Sequence, residues 1–322
     1  MMKLSTMYDF LESESPIVLD VLQKWGFDDG SVGLVRASSN FIFIFKKDGT
    51  EYILRLTPHG DLPKIKNELN FLLYLRKNNV HVNYPIISRE GNTIEIVPSA
   101  LGTFYAVVFN FVEGKQYELE ELSDEQLYKW GKALGNLHHN SKQYNSYNND
   151  KKIYTLQDLL PSVEESIPSQ DVSSQQEFKE IKSWIENLNV TCQNYGRIHF
   201  DFELDNLIWD ENNIKMIDFE SSIDGWYAAD IAFALRDVFA QEVDFTNPIF
   251  LQFLNGYKSK TNITDDEVEN ISMFLRLYNL LTYTKLLDSL DLESNTKYPE
   301  WVVGLINKLQ SKIEDYQGSF RK

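Results

Sequence analysis

Between Val32 and about Val112, apolar positions come in short runs and alternations with the rhythm of strands. Phe41-Ile42-Phe43-Ile44-Phe45 is an unbroken apolar run, Lys46 to Thr50 is polar around Asp48-Gly49, and Glu51 to Leu56 turns apolar again, a pattern that predicts a β-hairpin. After Pro58 and Pro63 the spacing lengthens. Ile65, Leu69, Leu72, Leu73 and Leu75 share one side while Lys64, Lys66, Asn67 and Asn70 stay polar, which predicts a helix ending near Asn78-Asn79. Further strands are expected at Ile86–Ser88, Thr93–Val97 and Thr103–Phe111. Past Glu113-Gly114-Lys115 helix formers take over, beginning with Asp124–His139, where Ser123 is the expected N-cap and Gln126 sits three residues on. Asn140–Lys152 and Ser162–Ser174 are rich in Asn, Ser, Gln and charge and read as solvated loops. Strand-like pieces return between Arg197 and Ile217, then helices dominate from Ala229, most clearly Asp265–Leu287 and Trp301–Tyr316. The expectation is an α+β chain in two parts, residues 1–112 with a small antiparallel sheet and one main helix, and residues 113–322, larger and mostly helical.

Charge narrows the function classes. The 322 residues carry 48 acidic and 31 basic side chains, a formal charge of −17, and a field of that sign repels nucleic-acid phosphates. Cys192 is the single cysteine, so no intramolecular disulfide or thiolate zinc site can form. It is expected to be a small buried hydrophobe in a reducing compartment, the cytoplasm. The first fifteen residues carry Asp9, Glu12 and Glu14 and lack the apolar stretch of a secretory signal. The most apolar run, Thr103 to Val112, is about half of the roughly 20 residues that a membrane helix requires, so no membrane partner is expected.

The candidate chemistry lies in His199-Phe200-Asp201-Phe202-Glu203-Leu204-Asp205-Asn206 and, after two short apolar pieces, Asp218-Phe219-Glu220. This arrangement predicts Asp201, Asn206 and Asp218 at the mouths of neighbouring strands. Carboxylate and amide oxygens are hard donors, and Mg²⁺ takes one or two of them together with phosphate oxygens and water. A carboxylate ahead of the amide could accept a proton from an alcohol.

Those residues resemble the aminoglycoside phosphotransferase and choline kinase family, small-molecule kinases of the protein-kinase-like fold. The family's His-x-Asp-x₄-Asn loop matches His199, Asp201 and Asn206, and its Asp-Phe metal loop matches Asp218-Phe219. The resemblance implies a two-lobed kinase-like fold and transfer of the γ-phosphate of ATP to a hydroxyl of a small-molecule acceptor. It makes Asp201 the catalytic base or orienter, Asn206 and Asp218 the Mg²⁺ ligands with Glu220 as a further ligand, and His199 scaffold. In the first half it implies that Arg55, held by Glu68, meets the nucleotide phosphates, that the loop Ser38-Ser39-Asn40 covers them, and that Phe111 and Val112 bind adenine through their backbones. Phe200 replaces the glycine often found before the catalytic Asp, and Asp-Phe-Glu replaces Asp-Phe-Gly.

Other residues carry paired expectations. Asp230 either caps a helix or supports the catalytic loop. Trp226 and Tyr227 either pack or line a cation pocket. Leu137-His138-His139 offers no third ligand for zinc, and Asp237, Glu242 and Asp244 read as a solvated acidic face. For the acceptor, an aminoglycoside or an amino alcohol such as choline or ethanolamine stands beside homoserine and other uncharged or zwitterionic metabolites. A weakly catalytic, nucleotide-binding regulator is the alternative from another class.

Overall fold

In the computed structural model, residues 2–13, 17–58, 60–99, 101–144, 154–211, 213–239, 242–291 and 298–320 are described. The chain divides into two compact units. The first comprises Met1–Leu73, Asn83–Val112 and Lys285–Asn307; the second comprises Tyr74–Val82, Glu113–Thr284 and Lys308–Lys322.

The first unit is built on an antiparallel sheet of β1 (Gly33–Ala37), β2 (Phe41–Lys47), β3 (Thr50–Pro58), β4 (Pro85–Ile86), β5 (Glu95–Ser99) and β6 (Gly102–Asn110). The path runs β1-β2-β3-β6-β4, with β5 also pairing β6. The expected hairpin is β2–β3, and its turn residues Asp48 and Gly49 both take positive φ, 51° and 75°, as the favoured two-residue hairpin turn demands. Alternation on β2 buries Phe41, Phe43 and Phe45, and Phe10 stacks on Phe41 with ring centroids 3.8 Å apart. Phe10 belongs to α1 (Leu4–Ser13), which precedes α2 (Ile17–Leu22). The hydrophobic pattern did not predict either of these helices. The predicted long helix is α3 (Leu62–Lys77), with Ile65, Leu69, Leu72 and Leu75 buried.

The second unit is mostly helical: α4 (Asp124–Tyr144), α5 (Leu160–Ser166), α6 (Val172–Glu186), α7 (Tyr227–Ala234), α8 (Arg236–Phe239), α9 (Pro248–Lys258), α10 (Asp265–Glu269), α11 (Ile271–Ser289) and α12 (Glu300–Ser319). Its strands form two small ladders, β7 (Tyr195–Ile198) with β10 (Ile223–Trp226), and β8 (Leu207–Trp209) with β9 (Ile214–Met216). Ser123 and Gln126 form the expected cap of α4.

Four expectations are corrected. Ser162–Ser174 is not loop: its two ends are helical, in α5 and α6, because Val163, Phe178, Ile181 and Ile185 supply a narrow buried stripe beneath a polar exterior. Likewise Asn140–Tyr144 continues α4, while 145–153 lie outside the described residues. Asp265–Leu287 is two helices, α10 opening on a Thr264/Glu267 capping box and ending at Asn270 before α11. Cys192 is exposed, not buried, because it sits in the turn before β7.

What positions the site is the contact of α4 with α9. A Cβ on Gly131 would fall 1.8 Å from the Phe253 carbonyl oxygen, and one on Gly256 would fall 1.9 Å from that of Tyr128. The two helices therefore touch backbone to backbone, which brings His138 on α4 within reach of Tyr257 on α9. Replacing Gly131 with alanine is expected to destabilise the fold by about 3 kcal/mol, the upper part of the overpacking range. Urea unfolding measures this, and an unchanged midpoint would show that the helices have room to spare.

Candidate active site

In the first unit, Arg55 on β3 and Glu68 on α3 are 4% and 3% exposed. The guanidinium donates to both carboxylate oxygens, Nη1 to Oε1 at 2.8 Å and Nη2 to Oε2 at 2.7 Å, and lies 5.1 Å from the Phe109 ring centroid. A fork-to-fork pair of this kind fixes the direction of the cation as well as its charge. Ser38, Ser39 and Asn40 form the turn between β1 and β2, where the Ser38 N–H donates to the Asn40 carbonyl. Asn40 is buried, with its Oδ1 unpartnered. Phe111 and Val112 follow β6, half-buried.

In the second unit the loop after β7 is shaped by one carboxylate. Asp230 on α7, fully buried, accepts the backbone N–H of His199 at 2.8 Å and of Phe200 at 2.7 Å. This resolves the paired expectation for Asp230 in favour of loop support, since the cap position of α7 is Trp226. The two bonds hold Phe200 at φ 73°, a left-handed conformation that costs a non-glycine residue roughly 1–2 kcal/mol. The Phe200 ring is compensated by packing against Phe233, with centroids 5.1 Å apart. A phenylalanine is thus accommodated where a glycine would be easier.

His199 ties this loop to the next. Its Nδ1 accepts the Asp201 N–H at 3.3 Å, so Nε2 carries the proton and donates to the Ile217 carbonyl at 3.0 Å. Asn206 spans the same gap from the other side. Its Nδ2 donates to the Asp201 backbone carbonyl at 2.9 Å and to Asp201 Oδ2 at 3.2 Å, and the Asn206 backbone carbonyl accepts the Ile217 N–H at 3.0 Å. Because the nitrogen end of the amide is committed to Asp201, the oxygen end is the one available to a cation. Asn206 immediately precedes β8 and Asp218 follows β9 by two residues, so the Leu207–Met216 pairing brings both to one end of that ladder. Asp218 takes φ 64°, and Glu220 lies in the helical turn behind it. One amide oxygen and one or two carboxylates fit the sparse protein donor set of Mg²⁺. Among the described residues no three His, Cys, Asp or Glu side chains gather as a metal site, so this donor set depends on the amide.

Behind Asp230 the polar chain continues. His138 Nε2 lies 2.9 Å from Asp230 Oδ2, and His138 Nδ1 lies 2.8 Å from the Tyr257 hydroxyl. In front of the loop, Arg236 forms an ion pair with Glu203, lies 3.7 Å from Asp201 Oδ1, and stacks over Tyr278 at 5.0 Å. Arg236 also lines a cavity of about 640 Å³ with Tyr278, Tyr316, Asp237, Glu242 and Asp315. The expected solvated acidic face is in part the wall of this cavity.

With this geometry in place, comparison with known proteins is decisive at the level of family: the sequence profile of the phosphotransferase enzyme family, APH, matches residues 34–261. The chain belongs to that family. It is a small-molecule phosphotransferase with the two-lobed, kinase-like α+β fold. Amicoumacin kinase of Bacillus subtilis (strain 168) is 23% identical over 293 residues, 87% of each chain. Among solved structures, an amicoumacin kinase in complex with AMP-PNP, Ca²⁺ and Ami superposes with a TM-score of 0.79 at 22% identity, covering 94% of this chain and 93% of that one. A microcompartment-associated aminopropanol kinase follows at 0.72 and 20%, covering 95% and 98%.

Four residues that the structure places around this candidate site were not assigned from sequence: His138, Tyr257, Glu203 and Arg236. The first two meet across 119 residues, through a glycine contact that hydrophobic spacing does not reveal. Arg236 carried a signal, as the cation closing the apolar run from Ile231 to Leu235.

Burial pushes the pKa of both His138 and His199 down, outweighing the nearby Asp230 charge. Both imidazoles are therefore neutral in the native state, whereas the unfolded chain takes up their protons below about pH 6.5. Stability is expected to be flat above that pH and to fall as pH drops from 6.5 towards 5.5, before most carboxylates titrate. Denaturant midpoints across this window measure the effect; a level profile would mean that the histidines are protonated in the fold.

Proposed function

We propose that the chain transfers the γ-phosphate of ATP, with Mg²⁺, to a hydroxyl of a small molecule that carries a basic amine. The observation that carries this reading is the hydrogen bond of Asn206 to Asp201, which sets a carboxylate beside a cation-binding amide oxygen, with Asp218 at the end of the same ladder. Asp201 accepts and orients the acceptor hydroxyl. Asn206 and Asp218, with Glu220 behind them, hold Mg²⁺, which when bound supplies electrostatic neutralisation of the phosphate oxygens. Arg55, aimed by Glu68, takes the nucleotide phosphates under the Ser38-Ser39-Asn40 turn, and the backbones of Phe111 and Val112 bind adenine. His199 and Asp230 fix the loop so that the acceptor oxygen is held in line, which is most of what this reaction asks of a protein.

The cavity beside Arg236 is the acceptor pocket in this reading. Four carboxylates line it, Glu177, Asp237, Glu242 and Asp315, against three cations, Arg236, Arg276 and Lys312. Both guanidiniums are already neutralised, Arg276 by Glu177 and Glu180 and Arg236 by Glu203. The charge left over is negative, and with Tyr278 and Tyr316 in the wall it suits an ammonium. The solved neighbour named for aminopropanol acts, by its name, on an amino alcohol, which is chemistry of the same kind. The cytoplasm, where ATP is held, is the compartment this activity requires, and no helix among the described residues is long and apolar enough to cross a membrane.

Turnover on paired acceptors tests the amine. An amino alcohol is expected to exceed its N-acetylated counterpart in kcat/KM by about tenfold or more, the size of one charge-assisted contact. Equal turnover on the two, or preference for uncharged alcohols, would remove the ammonium from the reading.

A further inference from the structure

The segment that holds the Asp201 loop from behind also reaches its front. α7 supplies Asp230, which accepts the His199 and Phe200 amides, and directly after its C-cap, Leu235, comes Arg236, which pairs with Glu203. Both ends of the stretch from His199 to Glu203 are thus gripped by one short piece of chain, through a carboxylate at one end and a guanidinium at the other. The guanidinium has little freedom. Nη1 donates to the Phe233 carbonyl at 3.3 Å, Nη2 pairs with Glu203, the Tyr278 ring centroid lies 5.0 Å away, and the side chain is 15% exposed. Nε faces the exposed Asp237 from 3.8 Å. So held, Nη1 stops 3.7 Å from Asp201 Oδ1, beyond hydrogen-bond reach yet close enough for the two charges to attract. The two oxygens of Asp201 are therefore unlike. Oδ2 accepts Asn206 Nδ2 at 3.2 Å, whereas Oδ1 accepts no hydrogen bond among the described residues. An untethered guanidinium would close that gap and form the two-bond fork that Arg55 makes with Glu68.

We propose that Arg236 is a positioning residue for phosphoryl transfer, held by Glu203 at a stand-off from Asp201, so that its charge aligns the carboxylate while Oδ1 stays open to the acceptor hydroxyl. The inference rests on the reading of Asp201 above. The χ2 torsion of an aspartate is broad, so one bond from Asn206 leaves the carboxylate plane loosely set, and a fixed positive charge facing the other oxygen narrows it. The same charge stands between Asp201 and Glu203, which otherwise repel each other along the loop. Glu203 has the complementary task. By taking Nη2 it keeps the guanidinium from collapsing onto Asp201 and occupying the oxygen that the acceptor uses. Precision is what this arrangement supplies, because a misplacement of about 1 Å at a reacting oxygen costs up to about 10²-fold in rate.

Turnover is measured with MgATP and the best acceptor from a panel of amino alcohols running from ethanolamine to aminoglycosides. Arg236→Gln is expected to lower kcat by about 10- to 100-fold with the KM for MgATP within about threefold of the parent. When Asp201 is already asparagine, the same change is expected to cost less than about threefold, since Arg236 acts through that carboxylate. Arg236→Lys keeps the charge without the fork and is expected to fall between the parent and Arg236→Gln. Glu203→Gln is expected to lower kcat by about 3- to 10-fold beside Arg236 and by less than about twofold in Arg236→Gln, because only the guanidinium can close onto Asp201. Should Arg236→Gln fold poorly by circular dichroism, Arg236→Lys in the parent and Asp201→Asn backgrounds carries the same comparison. Parental kcat in the Arg236 variants, a loss as large beside Asn as beside Asp at position 201, or a lysine no better than glutamine overturns the role. A Glu203→Gln loss that persists without Arg236 overturns the tether. In all these outcomes an impaired Asp201→Asn leaves the phosphotransfer reading standing, whereas unimpaired turnover in Asp201→Asn overturns the reading of Asp201 and this inference together.

Discussion

The loop that carries Asp201 depends on a single buried carboxylate. Asp230 accepts two successive backbone N–H groups, those of His199 and Phe200, and without them the left-handed turn at Phe200 would keep only the packing of its ring on Phe233 to offset its strain. Together with the packing of the Phe200 ring on Phe233, these bonds set the geometry that the residues downstream inherit. The turn directs Asp201, the Asp201 backbone and side chain anchor the Asn206 amide, and Asn206 and His199 together peg Ile217, one residue before Asp218. A charged group at zero exposure is tolerable because all its partners donate: two amides and one imidazole N–H.

The support behind Asp230 is equally buried and equally polar. His138 reaches Asp230 because α4 and α9 approach through Gly131 and Gly256, so the absence of two side chains on one face of a helix pair is what places an imidazole in the core. Desolvation keeps that imidazole neutral, which gives it one donor for Asp230 and one acceptor for Tyr257. In the other unit the same logic appears in simpler form, as Glu68 holding Arg55 in a two-bond fork beneath Phe109. In both places a buried partner settles where a neighbouring charge or loop points.

How far the chain announced this can be judged residue by residue. The β2–β3 hairpin was legible because Asp48-Gly49 is local turn chemistry, and α3 because its apolar positions keep helical period. The His199-to-Asp218 spacing was legible as a motif, and the β8–β9 ladder brings its Asn206 and Asp218 to one end. By contrast, α5 and α6 were hidden by a polar exterior over a thin buried stripe, and the break at Asn270 by continuous helix-forming composition. Cys192 was misjudged from the general tendency of lone cysteines towards burial. The Tyr257–His138–Asp230 chain was invisible, since it joins residues 119 and 92 positions apart through tertiary packing alone.

Replacing Asp201 with asparagine tests the central claim most directly, because the amide keeps the size and shape of the carboxylate while removing its charge and its ability to take up a proton. Phosphoryl transfer from MgATP to an amino alcohol, followed by the appearance of the phosphomonoester, is expected to fall by about 10²–10⁴-fold, with nucleotide affinity within about threefold of the parent. Transfer at the parent rate would contradict the account, for it would mean that the loop so carefully held by Asp230 does not present the group that handles the acceptor.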